Sequence, residues 1–315
     1  MAKLTMAQAL NQALREAMDA DDAVLVLGED VGVDGGVFRV TEGLLDRFGA
    51  ERAIDTPLAE SAIVGVSIGM AAHGLRPVCE IQFSGFSYLA MQQLEAHAAR
   101  LRWRSRGRFS ASLVLRMPYG GGVRALEHHS ESKEIYYTHT PGLKVVAPSG
   151  PRNARALLRA AIRDPDPVVF LEPKRIYRAF REEVPDDDDE PMALGESQTV
   201  RDGDDLTLIS WGAMLQPTLK AAEQLAEEGT EAEVIDLLTL SPLDDTRLSA
   251  SARRTGRVVI VHEAHRSYGP GAELVARPVA RVTGYDTQVP FFARETDYLP
   301  DVARIVAGAQ LVLEA

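Results

Sequence analysis

Short, mostly apolar runs rich in valine and leucine punctuate the first part of the chain, at residues 23–27, 78–81, 113–116, 144–147 and 168–171. They are continuous rather than alternating, so they read as strands covered on both faces, the pattern of a parallel sheet. Between them, apolar positions recur with helical period over residues 5–20, 61–73, 86–103 and 150–163. This alternation predicts an α/β fold, a mainly parallel sheet with helices on both faces, whose ligands bind beyond the carboxyl ends of the strands.

The periodicity fades from Ile176 to Asp205. The run from Glu182 to Pro191 sets consecutive carboxylates between prolines and reads as a solvated connector. Beyond it, strand patterns return at residues 206–210, 232–237 and 258–261, with helices between. The organisation expected is an N-terminal domain over residues 1–178, an acidic linker over 179–205 and a smaller C-terminal α/β domain over 206–315.

One segment breaks the amphipathic scheme. Ile54-Asp55-Thr56-Pro57-Leu58-Ala59-Glu60 leads into Ser61–Ala72, a helix pattern that is apolar almost all round. Pro57 favours extended backbone at Thr56, and Ser61 or the preceding carboxylate can cap the helix. Glu60 thus stands at the helix mouth. A capping or helix-dipole role is one reading. An acid buried beside an apolar floor and suited to proton transfer is the other.

Composition narrows the class. The apolar fraction of 45% and charged fraction of 25% are ordinary for a globular protein. The net charge of −12, with basic residues that are nearly all arginine, argues against nucleic acid, which needs a basic surface. It fits a salt-rich cytoplasm or a biased genomic base composition equally well. No apolar run is long enough to span a bilayer and the N-terminus lacks a signal pattern, so no membrane partner and a cytoplasmic location are expected. The single Cys79 lies in an apolar run and reads as a buried hydrophobe. Two histidine pairs invite a metal reading and fail it. Side chains of His128 and His129 diverge, and His262-Glu263-Ala264-His265 has one residue too few for the zinc-protease spacing.

Several further segments carry chemistry together: Leu27-Gly28-Glu29-Asp30-Val31-Gly32 with Gly35–Thr41, Glu80-Ile81-Gln82-Phe83, Met117-Pro118-Tyr119-Gly120-Gly121-Gly122, His129-Ser130-Glu131-Ser132, Pro141–Val146 and Phe170-Leu171-Glu172-Pro173-Lys174. In this order and spacing the chain resembles the beta subunit of the thiamine-diphosphate-dependent decarboxylase component of 2-oxo acid dehydrogenase complexes. The resemblance runs from about residue 4 to the C-terminus. It implies a transketolase-like pyrimidine domain followed by a transketolase-like C-terminal domain.

The resemblance also assigns roles. Glu60 matches the glutamate that hydrogen-bonds the pyrimidine N1′ of thiamine diphosphate and promotes the imino tautomer that deprotonates the thiazolium. Leu58, Gln82 and Phe86 match positions lining the pyrimidine pocket, whereas Phe83 is read as core. His129, rather than His128, matches the channel histidine that assists transfer to the lipoyl group, where an imidazole can donate a proton. A monovalent cation site, usually potassium, maps onto Leu113, Ala161, Ile162, Asp164 and Asp166, the last often asparagine in the family. No Gly-Asp-Gly motif occurs, so the Mg2+ and diphosphate half of the site is expected from an alpha subunit in an α2β2 heterotetramer. The other partners implied are a lipoyl acyltransferase and a small 2-oxo acid, branched-chain or pyruvate. An acetoin dehydrogenase beta subunit and a non-catalytic assembly subunit remain as alternatives. Near the C-terminus, Gly269–Leu274 reaches Arg281-Val282-Thr283-Gly284 sooner than is usual in the family, which implies a shortened helix.

Overall fold

The structure is a computed structural model and describes residues 2–185, 192–274, 279–283, 285 and 294–313. The strands are β1 Ala2–Leu4, β2 Val24–Gly28, β3 Ala53–Asp55, β4 Arg76–Glu80, β5 Val114–Tyr119, β6 Lys144–Val146, β7 Val168–Pro173, β8 Glu182–Val184, β9 Gln198–Arg201, β10 Leu206–Ser210, β11 Ala232–Asp236, β12 Thr239–Ser241, β13 Val258–Val261 and β14 Val279–Val282. They form a seven-stranded sheet ordered β12-β6-β7-β5-β4-β2-β3, a five-stranded sheet ordered β14-β13-β10-β11-β9, and the small pair β1-β8.

The large sheet is parallel apart from β12. Strands β2, β5 and β7 are buried along their whole length, as their continuous apolar runs require. Helix Met6–Ala20 opens with a capping box, in which Thr5 and Gln8 satisfy each other's backbone amides. It packs against helix Pro151–Arg163, and the two bury their apolar stripes on one face of the sheet. Helix Glu60–Ala72 and the segment from Tyr88 to Arg104 build a second core with the strand residues Leu25, Cys79 and Leu115. Burial pushes the Cys79 thiol up to about 12, which leaves it an inert packing residue.

One local expectation is corrected, and two features lie beyond the expected pattern. The segment read as one helix over residues 86–103 is instead helix Tyr88–Gln92, a π-helical turn over Gln93–Ala98 and helix Ala99–Arg104. Within it Leu94 is core while Leu89 is exposed. The acidic connector is ordered at both flanks. β8 pairs with β1, and β9 joins the edge of the second sheet against β11, so backbone hydrogen bonds rather than side-chain pattern organise this stretch; residues 186–191 lie outside the described residues. Finally, β12 comes from the second half of the chain yet pairs with β6 of the first sheet, with Thr239 opposite Val146. The shortened C-terminal helix falls largely on residues 275–278 and 284, outside the described residues.

Candidate active site

Parallel pairing sends the carboxyl ends of β2, β3, β4, β5 and β7 to the same edge of the large sheet. The expected site residues follow these ends: Glu29 after β2, Leu58 and Glu60 after β3, Gln82 and Phe86 after β4, and His129 in the loop after β5. Gly28 lies at the centre of the arrangement, where a Cβ would press against the Glu80 carbonyl at 2.8 Å. The Asp55 carboxylate accepts the amides of Gly32 and Val33, the latter at 3.0 Å, and so folds the 29–33 loop over the strand ends.

Glu60 is the first residue of its helix. The preceding N-cap, Ala59, offers no side-chain cap, and Ser61 instead receives a hydrogen bond from Gln93 at 3.3 Å. The capping reading therefore fails, while Glu60 keeps a place in the first turn, where the helix dipole favours a carboxylate. The Glu60 side chain is buried, 4% exposed, and its Oε2 has no hydrogen-bond partner. Beside it lies a residue to which the sequence assigned no role. Glu29 is also buried, its Oε1 is likewise unpartnered, and its carboxyl is held above the usual range by burial and then by the charges of Glu60 and Asp30. Two neighbouring buried carboxyls with unpaired oxygens are costly unless a ligand gives them hydrogen-bond partners. A ring nitrogen that shares a proton with Glu60 would meet that requirement.

The remaining wall is aromatic. Gln82 Nε2 donates to Asp30 Oδ2 at 2.9 Å, which ties the end of β4 to the loop that carries Glu29. Four residues on, the Phe86 ring meets that of His129 edge-on at 5.2 Å and that of His128 at 5.2 Å. Phe83, expected in the core, is corrected to this cluster: it is only half-buried and packs edge-on against His129 at 4.5 Å and Phe86 at 5.9 Å. A stripe count could not separate the two aromatics, because the turn Ser84–Phe86 breaks the helical phase. Leu58 stands 80% exposed at the rim.

Backbone locks this wall together. A Cβ at Gly85 would collide with the His128 carbonyl, and Ser84 Oγ donates to the Glu131 carbonyl at 2.8 Å. His129 sits on the short turn Glu127–His129 with Nδ1 unpartnered. Burial, then His128 and Lys174, hold its pKa below the ordinary imidazole value, so near neutrality the ring is uncharged. The glycine triplet is held by the chain itself: Gly121 N–H donates to Glu263 and Gly122 N–H to Glu295, each at 2.7 Å.

The expected potassium residues do not show a comparable vacancy. The carbonyls of Leu113, Ala161 and Ile162 accept from Val168 N, Asp164 N and Arg76 Nη1 at 3.0, 3.2 and 3.0 Å. Asp164 is paired with Lys144 and Asp166 with Arg102, each at 2.6 Å. Each of these carbonyls and each of these carboxylates thus already has a partner within the chain. Among the described residues no cluster of three or more His, Cys, Asp or Glu side chains could hold a metal ion.

The comparisons agree with this geometry. Residues 2–179 match the transketolase pyrimidine binding domain, and residues 195–305 match the transketolase C-terminal domain. The split-gene transketolase solved as an inactive beta4 tetramer superposes with a TM-score of 0.81 at 23% identity, covering 99% of both chains. The transketolase of Campylobacter jejuni gives 0.75 at 14% identity, covering 98% of this chain and 46% of that one. These likenesses define the class as a transketolase-type thiamine-binding fold. Over its full length the chain is 49% identical to the pyruvate dehydrogenase E1 component subunit beta of Acholeplasma laidlawii, covering 99% of that protein. The subunits of the same description from Staphylococcus epidermidis and Bacillus subtilis are each 47% identical with full coverage of both chains. The chain belongs to the family of beta subunits of the E1 component of 2-oxo acid dehydrogenase complexes.

Proposed function

We propose that this chain, joined to an alpha subunit that supplies the Mg2+ and diphosphate ligands, decarboxylates pyruvate and passes the acyl group to a lipoyl domain. The observation that carries the reading is the buried, unpartnered Oε2 of Glu60 at the sheet's carboxyl edge. Relatives described as pyruvate dehydrogenase E1 component subunit beta, 47–49% identical to this chain, support pyruvate as the first substrate to test.

Thiamine diphosphate, when bound, supplies the carbon nucleophile and electron sink of the decarboxylation. Glu60 would hold a proton against the pyrimidine N1′, in surroundings where a hydrogen bond is strong because water is excluded. Glu29 stands beside it as a carboxyl biased towards its protonated form. Leu58 and Phe86 would flank the pyrimidine, with Gln82 as their polar neighbour. His129, at the aromatic wall, would donate a proton to the dithiolane sulfur that opens as the acyl group moves.

The test is co-purification with an alpha-type chain and comparison of pyruvate, 2-oxoisovalerate and acetoin, with an artificial electron acceptor for the first stage and a lipoyl domain for the second. Pyruvate should have the highest kcat/KM. A preference for either of the others would change the substrate and keep the fold and cofactor reading. No turnover of any of the three by a folded pair would remove the catalytic reading.

A further inference from the structure

The loop between β5 and the turn Glu127–His129 is held by the other half of the chain. Glu263 follows β13, and Glu295 opens the short helix Glu295–Tyr298. Both carboxylates are buried, 4% and 2% exposed. Glu263 Oε2 accepts from Gly121 N–H at 2.7 Å, while Glu295 accepts from Gly122 N–H with Oε1 at 2.7 Å and from Arg124 N–H with Oε2 at 2.6 Å. Ser130 Oγ, on the far side of His129, reaches Glu295 Oε1 at 3.5 Å.

The glycines make this approach possible. Gly120 and Gly122 have φ of +80° and +89°, and a Cβ at Gly120 would collide with the Glu263 carboxylate. Lys174, buried and without a hydrogen-bond partner, lies where its charge acts on both carboxylates and on His129. It therefore supplies the counter-charge that two buried carboxylates require. The fold alone does not demand this arrangement, because a loop of this length could satisfy its amides with water.

We propose that Glu263 and Glu295 are positioning residues: by accepting the backbone amides of Gly121, Gly122 and Arg124 they fix His129 against Phe83 and Phe86, so that acyl transfer, and not acyl formation, depends on the C-terminal domain. This rests on the reading of His129 as the group that serves transfer. The carboxylates touch no reacting atom. They act through charge-assisted hydrogen bonds, which are stronger and more directional than neutral ones.

The experiment is hydrogen–deuterium exchange, read by mass spectrometry, together with half-reaction kinetics, on the co-purified alpha and beta pair carrying Glu295→Ala, Glu295→Gln or Glu263→Gln. In Glu295→Ala the peptide over residues 120–130 should exchange about tenfold faster, with Glu295→Gln intermediate because its amide oxygen still accepts one N–H. Transfer to a lipoyl domain should fall in the same order, while decarboxylation with an artificial acceptor stays within about twofold of the parent. Should alanine at 295 prevent folding, the two glutamine variants carry the test. Unchanged exchange in the folded variants overturns the clamp, and faster exchange with unchanged transfer overturns its positioning role. His129→Ala, run alongside, keeps the two readings apart: if it leaves transfer intact the role of His129 falls, and the exchange data still decide whether the loop is clamped.

Discussion

At the scale of single residues, the decisive fact is an unpaired oxygen. The sequence placed Glu60 at a helix mouth but could not distinguish a capping carboxylate from a buried acid, because both need the same residue type at the same position. Burial and the missing cap separate them. Glu29 was not legible, since nothing local marks it and its role comes from Glu60, which β2 and β3 bring alongside. Glu60→Gln keeps the shape but cannot share a proton with a ring nitrogen in the same way, so decarboxylation by the assembled pair should fall about a hundredfold or more with unfolding unchanged. Turnover near the parent's would remove Glu60 from the site. His129→Ala should depress lipoyl acylation far more than decarboxylation, and His128→Ala should do little to either. Single-turnover measurements of the two stages separate the variants. Equal losses from both would mean that the wrong imidazole faces the channel.

At the scale of elements, four of the strands that carry the site, β2, β4, β5 and β7, were readable because each contains an apolar run between turn residues. Strands β3, β8, β9 and β12 were not, being three or four residues long and held by pairing with distant strands. The same long-range pairing creates a seam between the two halves. Trp211 from the second half donates Nε1–H to Glu134 Oε1 at 3.2 Å, and its ring stacks on His262 at 5.1 Å. Glu134 is fully buried, and burial chiefly pushes its carboxyl up to about 7 from an unfolded value near 4.5. The folded state therefore binds this proton more tightly than the unfolded one. Its stabilising contribution is fully present below about pH 4.5 and is lost as pH rises through about 7. Glu134→Gln removes that titration while keeping an oxygen for Trp211. Between about pH 5 and about pH 7 the parent should lose stability relative to the variant, by up to about 1.4 kcal/mol per pH unit. Urea unfolding followed by fluorescence of the buried Trp211 would measure it. Parallel curves for the two proteins would show that Glu134 does not titrate in this window.

At the scale of the whole molecule, the site is open on the side where a second chain is expected. Leu58 and Val33 are each 80% exposed at its rim, and along the outer face of helix Glu60–Ala72 the residues Ala62, Val66 and Gly69 form an apolar strip. Leu89 adds a 64% exposed side chain from the helix Tyr88–Gln92, which packs on helix Glu60–Ala72. Solvent does not favour such a surface, and its position beside Glu60 matches a partner that also completes the cofactor site. A stable interface covering it would bury on the order of 2,000 Å² or more, the scale of permanent complexes. The isolated chain should therefore bind thiamine diphosphate and Mg2+ weakly and turn over nothing, because its described residues offer a pyrimidine wall without a metal cluster. Leu58→Asp should weaken assembly and cofactor binding together, since one side chain serves both surfaces. Titration calorimetry on the isolated chain, the pair and the Leu58→Asp pair would read the cofactor, and sedimentation the assembly. Micromolar binding by the isolated chain would show that this half already contains the whole site, and a fully assembled Leu58→Asp pair would place the alpha-facing surface elsewhere.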